Sequence, residues 1–312
     1  MSVHKAIDGR AVGIMVVLCM VWGLQQIALK AAAPDMAPTL QIGIRSGLSA
    51  LLVGLLMVWR GERLHLAGGR WRPALLVGSL FGLEFALIGE GLRHTSAAHM
   101  VVFLYTAPVF AALGLHLRLP SERLHALQWG GIALAFAGIA VAFFGRSGAG
   151  AAAPATLLGD ALGVLAGAAW GLTTVAVRCS RLSQAPATET LLYQLVGAFV
   201  LLMIAAPLMG QADFQLTPTV LKSLAFQTVV VSFASYLVWF WLLRQYIASR
   251  LGVFSFMTPM FGVAFGVGLL HEPLEPSFVV GAVLVLAGIT VVSGQAWVRQ
   301  AIGRRRGRQE RC

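Results

Sequence analysis

The chain is short of charge and shortest of acid: Asp and Glu number 12 in 312 residues, and charged residues of both signs reach only 11%. What charge there is falls in short stretches, and the segments between apolar runs are too brief to hold the core of a soluble domain. Cysteine is scarce too. Cys19, Cys179 and Cys312 are odd in number and lack paired spacing, so neither a disulfide framework nor a metal site is indicated. No phosphate-cradling Gly-rich loop is present, which argues against ATP hydrolysis, and the Ser, His and acidic residues form no recognisable triad. No cofactor and no metal are expected.

What fills the chain is apolar. Hydrophobic residues make up 58%, the mean hydropathy is +0.81, and the runs are long. A bilayer core about 30 Å thick takes roughly 20 apolar helical residues to cross. Candidate spans lie near residues 12–31, 38–58, 73–92, 96–117, 126–144, 157–177, 188–208, 221–243, 249–270 and 275–296. The expected fold is an all-α membrane protein of ten transmembrane helices. Its lysines and arginines sort accordingly. Eighteen of the 23 fall at one face and four (Lys30, Arg93, Arg146, Lys222) at the other, with Arg45 inside a span. That division predicts both termini in the cytoplasm. It also turns the net charge of +11 into a topology signal and removes the nucleic-acid reading. A cleaved leader within the first 33 residues is not expected, because the apolar run is long and lacks a polar cleavage region.

The chain also repeats itself at an offset near 150. Trp22-Gly23-Leu24 answers Trp170-Gly171-Leu172, and Val102-Phe103 to Pro108-Val109-Phe110 answers Val253-Phe254 to Pro259-Met260-Phe261. Glu122 matches Glu272, while Gly131 and Gly138 match Gly281 and Gly288. Each half then holds five helices. Five is odd, so the second half enters the membrane from the opposite side, giving a 5+5 inverted-topology repeat of the kind that underlies alternating access. The expected organisation is a cytoplasmic N-terminus at 1–11, repeats at 12–145 and 157–297, a Gly/Ala-rich linker at 146–156 and a basic cytoplasmic tail at 298–312.

Trp-Gly in the first helix of each half, Pro-x-Phe in the fourth, Thr95-Ser96-Ala97-Ala98 leading to Tyr105-Thr106-Ala107-Pro108, and His271-Glu272-Pro273-Leu274 together resemble the EamA-type carriers of the drug/metabolite transporter superfamily. The resemblance runs from about Val12 to Trp297. It implies export of amino acids or other metabolites. One departure is Pro120-Ser121-Glu122 where that family commonly has Gly-Glu, and a changed turn is expected there.

Arg45 is the most costly residue to bury here, since a mid-membrane Arg is disfavoured by about 2.5–3.5 kcal/mol and usually faces a cavity or partner. Counting at 1.5 Å per residue puts Gln25, Arg45, Glu84 and Tyr105 at similar depth, roughly 9–13 Å below one surface. Glu84 is the expected partner of Arg45. The second half adds Tyr193 and Tyr236 but no acid or base at that depth. Trp22 and Trp170 are equivalent in the repeat and are candidate cavity walls, while Pro108 and Pro259 mark kinks or hinges. Trp59, Trp71, Trp129 and Trp297 fall at helix ends, as an aromatic belt does. Asp160 is expected to cap a helix or sit at an interface, Glu90 to be a solvated helix-end residue, and Gly159, Gly163, Gly167 and Gly171 to form a close-packing stripe.

The reading is a secondary transporter in the plasma (inner) membrane. It moves a small organic metabolite, an amino acid or related compound, in the export direction. Arg45 recognises a carboxylate, with Trp22, Tyr105 and Trp170 giving apolar contacts. A channel and a membrane-embedded enzyme are the alternatives. The partners are the bilayer and a small-molecule substrate, with a monomer as the working unit. Proton exchange stays open, with Glu84 its central candidate.

Overall fold

The computed structural model describes residues 8–62, 64, 69–144, 154–246, 251 and 254–309. Lys5, most of the 146–156 linker and the end of the basic tail lie outside the described residues, as do the side chains from Ser293 onward.

Twelve α-helices carry the fold among the described residues. They are α1 (Gly9–Ala31), α2 (Pro38–Trp59), α3 (Trp71–His94), α4 (Ala97–Leu104), α5 (Ala107–Arg118), α6 (Ala126–Phe144), α7 (Pro154–Arg178), α8 (Ala187–Leu208), α9 (Pro218–Ala225), α10 (Tyr236–Gln245), α11 (Met257–Leu270) and α12 (Pro276–Gln309). Eight helical stretches are long and apolar enough to cross a bilayer, with α4–α5 counting as one stretch and α9 to α10 as another. Two shorter apolar helices, Met257–Leu270 and Pro276–Val292, follow. The protein is therefore an integral, multi-pass membrane protein. Local chemistry sets the starts. The Asp8 carboxylate accepts from the Ala11 amide, the Ser96 hydroxyl from His99 and the Thr217 hydroxyl from Val220, each satisfying a donor the first turn leaves free.

Two of these stretches are not plain α-helix. The first-half proline helix breaks at Tyr105–Thr106, just before Pro108, and its counterpart turns at Ser255–Phe256 just before Pro259. A proline has no amide hydrogen to give to the preceding turn and crowds it, so both expected kinks are full interruptions. Between α9 and α10 the chain runs as a π-helix from Phe226 to Ser235.

Several helix contacts match under an exchange of the two halves, although those of α3 with α7 and α8 have only weak counterparts. α6 lies along α12, α2 along α8, and α4 against α11, while α1 meets α11 as α7 meets α4 and α5. Glycines show how closely these helices approach. A Cβ on Gly131 would stand 2.9 Å from the Gly288 carbonyl, and one on Gly138 would stand 2.6 Å from the Gly281 carbonyl. As residue numbers rise on α6 they fall on α12, so these two equivalent helices run antiparallel. Gly43 and Gly47 of α2 meet Leu202 and Phe199 of α8 in the same descending order.

The contacts also explain the repeated motifs. Gly23 of one Trp-Gly pair packs on Phe261 of the second Pro-x-Phe, and Gly171 of the other packs on Phe110 of the first. Each motif fits its complement in the opposite half. The stripe Gly159, Gly163, Gly167 and Gly171 lets α7 close onto Thr95, Phe103, Thr106 and Phe110. Trp59, Trp71 and Trp129 are exposed at or near helix ends, where an aromatic belt belongs.

Candidate functional site

Arg45 sits on α2 and is only 3% exposed. Its Nη1 donates to Gln227 Oε1 in the π-helix at 2.9 Å, and its guanidinium lies 4.6 Å from the centre of the Phe85 ring. The buried Nε has no hydrogen-bond partner. Glu84, 4% exposed on α3, leaves its Oε2 unpartnered as well. No ion pair joins the two, although each lies within electrostatic range of the other. The expected pairing is thus corrected. Matching depth along two helices does not fix rotation about their axes, and α3 presents Phe85 to the guanidinium.

Other candidates gather nearby. Tyr236 opens α10 directly after the π-helix and packs against the cluster that contains Phe85. Tyr105 is buried at the break between α4 and α5, and its ring meets Trp170 edge to face at 5.3 Å. Both tyrosines lie within electrostatic range of Glu84. Gln25 is buried on α1. Trp22 donates its Nε1 hydrogen to Ser235 Oγ at 2.9 Å and meets Trp239 edge to face at 5.7 Å. Tyr193 is not part of this group. Its hydroxyl donates to Glu189 at 2.7 Å, and Glu189 lies 3.5 Å from Arg70 at the start of α3.

A cavity of about 360 Å³ opens beside these residues. Its walls include Pro108, Ala111, Glu122, Gln128, Trp170 and Thr174. Trp170 therefore faces the cavity on one side and Tyr105 on the other. At the mouth, Arg178 Nη2 donates to Glu122 at 2.5 Å. The changed turn expected at Pro120-Ser121-Glu122 is a single 3-10 turn.

The other end of the molecule is tied together by side-chain and backbone contacts. Glu272, the repeat partner of Glu122, accepts from the amides of Ala97 (2.7 Å) and Ala98 (3.0 Å) and so caps α4. His271 takes a left-handed conformation (φ 54°) to turn the chain toward that position. Lys30, at the repeat position of Arg178, donates instead to the carbonyls of Leu92 and Thr95. Asp35 accepts from the Thr217 hydroxyl at 2.7 Å, and Met36 and Phe214 form an antiparallel bridge. Glu90, expected to be solvated, is held by Arg93, His94 and Gln211. Asp160 is an interface residue rather than a cap: it is buried and bonded to His99 and Thr95.

Gln227 escaped the sequence reading. Its signal is a lone amide in the apolar run Leu224 to Val231.

A duplicated bundle of apolar helices, split by a buried cation and open at one end, has the form of a membrane carrier. The model of the EamA-like transporter family matches residues 9–144 and again 157–294, and the chain belongs to that family, within the drug/metabolite transporter superfamily. It is 22% identical over 271 residues to an uncharacterized transporter, YoaV, of Bacillus subtilis, covering 86% of this chain and 92% of that one. A probable amino-acid metabolite efflux pump of Escherichia coli is 26% identical over 308 residues, covering 93% and 97%. A solved structure described only as the crystal structure of a protein superposes with a TM-score of 0.63 at 19% identity, over 91% of this chain and 97% of that chain.

Proposed function

We propose that the protein is a secondary transporter of the inner membrane that exports a small organic metabolite bearing a carboxylate, amino acids and related compounds among them. It has ten spans in two inverted halves with both termini cytoplasmic, and a central site reached from one face at a time. The observation that carries this reading is the unequal state of two equivalent ends. Glu122 sits on Arg178 beside an open cavity, whereas Glu272 is drawn onto the start of α4. A repeat whose halves differ in this way has a second conformation available in which their roles are exchanged. Arg45 supplies the charge that recognises a carboxylate. Trp170 and Tyr105 supply the apolar wall between it and the cavity.

Counterflow tests the proposal. Purified protein in liposomes preloaded with unlabelled amino acids should take up external labelled amino acid transiently and saturably. A channel gives flux without counterflow or saturation, and an embedded enzyme gives product in detergent without a gradient. Either result would replace the carrier reading.

A further inference from the structure

We propose that Arg45 and Glu84 are two poles of one binding site, Arg45 for the anionic group of a zwitterionic solute and Glu84 for its ammonium. The proposal rests on the carrier reading above and deepens it by giving Glu84 a role in selecting substrate.

Burying a charge is costly unless it is paired and hydrogen-bonded, and the usual remedy in a membrane interior is a partner of opposite sign. Here a guanidinium and a carboxyl group are both buried, and they are not joined. Arg45 spends one nitrogen on Gln227 and rests on Phe85, leaving Nε without an acceptor. Glu84 leaves Oε2 without a donor. A solute carrying a carboxylate and an ammonium on one small frame supplies both missing partners, and neither charged group needs to leave its helix. A simple acid leaves Glu84 unsatisfied, and a simple amine leaves Arg45 unsatisfied.

A chain of contacts leads from the cavity toward these groups. The 360 Å³ cavity ends on Trp170, Trp170 abuts Tyr105, and Tyr105 is within electrostatic range of Glu84. The aromatic pair thus links the cavity wall to the neighbourhood of Glu84. Tyr236 and Gln227 flank the same centre from the second half.

Binding to the purified full-length protein tests this, using matched triads. One is leucine, 4-methylpentanoate and 3-methylbutylamine; another is phenylalanine, 3-phenylpropanoate and 2-phenylethylamine. In the wild type the amino acid of at least one triad should bind ten-fold or more tightly than both analogues. Glu84→Gln should narrow its advantage over the deaminated acid to within three-fold while the advantage over the amine persists, and Arg45→Gln should do the reverse. Wild-type protein that binds acid and amino acid equally overturns the proposal but leaves the carboxylate carrier standing. A Glu84→Gln ratio equal to that of the wild type overturns it too. Binding of amines alone, or of nothing in the panel, removes the carboxylate reading and this one together. The wild-type comparison needs no variant to fold.

Discussion

Arg45 reaches across the two halves to Gln227, a 2.9 Å hydrogen bond between α2 and the π-helix. Its same-half neighbour in depth, Glu84, stays outside ion-pair distance. The buried cation is therefore fastened to the opposite repeat, and any movement of one half against the other acts directly on it.

Double-mutant cycles on thermal unfolding in detergent should separate these relationships. A hydrogen bond to a charged group contributes about 1.5–3 kcal/mol, so Arg45→Gln and Gln227→Ala should couple within that range. The coupling of Arg45→Gln with Glu84→Gln should be clearly smaller. A larger coupling for Arg45 with Glu84 would restore the ion pair.

Glu272 caps α4 at the end away from the cavity, and losing a helix cap costs about 0.5–2 kcal/mol. Glu272→Gln should therefore favour the state open at that end and closed around Thr174. In a background lacking Cys19, Cys179 and Cys312, modification of Thr174→Cys should slow several-fold when Glu272→Gln is added. An unchanged rate would show that the cap does not control the conformation.

The α6–α12 seam has no room for a side chain at its glycines. A Cβ on Gly138 would lie 2.6 Å from the Gly281 carbonyl and 2.7 Å from the Val285 amide, whereas one on Gly130 would meet nothing within 4 Å. Overpacking costs about 1–3 kcal/mol. Gly138→Val should lower the Tm or the monodisperse yield while Gly130→Ala leaves both unchanged. Equal behaviour of the two would deny the seam its structural role.

Single cysteines report topology. Asp35→Cys and Asp213→Cys should react with an impermeant thiol reagent from outside, and Arg70→Cys and Arg306→Cys should not. External reaction at residue 306 requires an odd span count and ends the inverted-repeat reading.

Trp22 and Trp170 are equivalent in sequence but not in surroundings. Trp170→Ala removes a cavity wall and should weaken apparent substrate affinity by about 1–1.5 kcal/mol, the scale of an aromatic contact. Trp22→Ala removes the bond to Ser235 and should chiefly lower thermal stability, by about 0.5–1.5 kcal/mol. Normal kinetics in well-folded Trp170→Ala would return that residue to packing.

The helices were legible because a bilayer demands long apolar runs, and most observed limits follow those runs, although the last helix runs to Gln309 and does not end near 296. The breaks near Tyr105 and Ser255 were announced by Pro108 and Pro259. The π-helix was not, since no proline or glycine occurs between Phe226 and Ser235. Depth placed Arg45, Glu84 and Tyr105 together, but rotation about a helix axis is set by neighbours, which is why Gln227 rather than Glu84 holds the guanidinium. Tyr193 reads from sequence as another central aromatic. Its place beside Glu189 and Arg70 depends on which turn of α8 meets the start of α3.

The seam between α6 and α12 is its own image. Gly131 touches Gly288 and Gly138 touches Gly281, and exchanging the halves turns each contact into the other. One five-helix unit thus carries both surfaces of this junction, and an oppositely inserted copy of that unit would complete it. In a chain of that ancestry, a single change at either glycine would have altered both contacts at once. Within one polypeptide the two contacts can change separately, just as Arg45 and Glu84 stand in the first half without charged counterparts in the second.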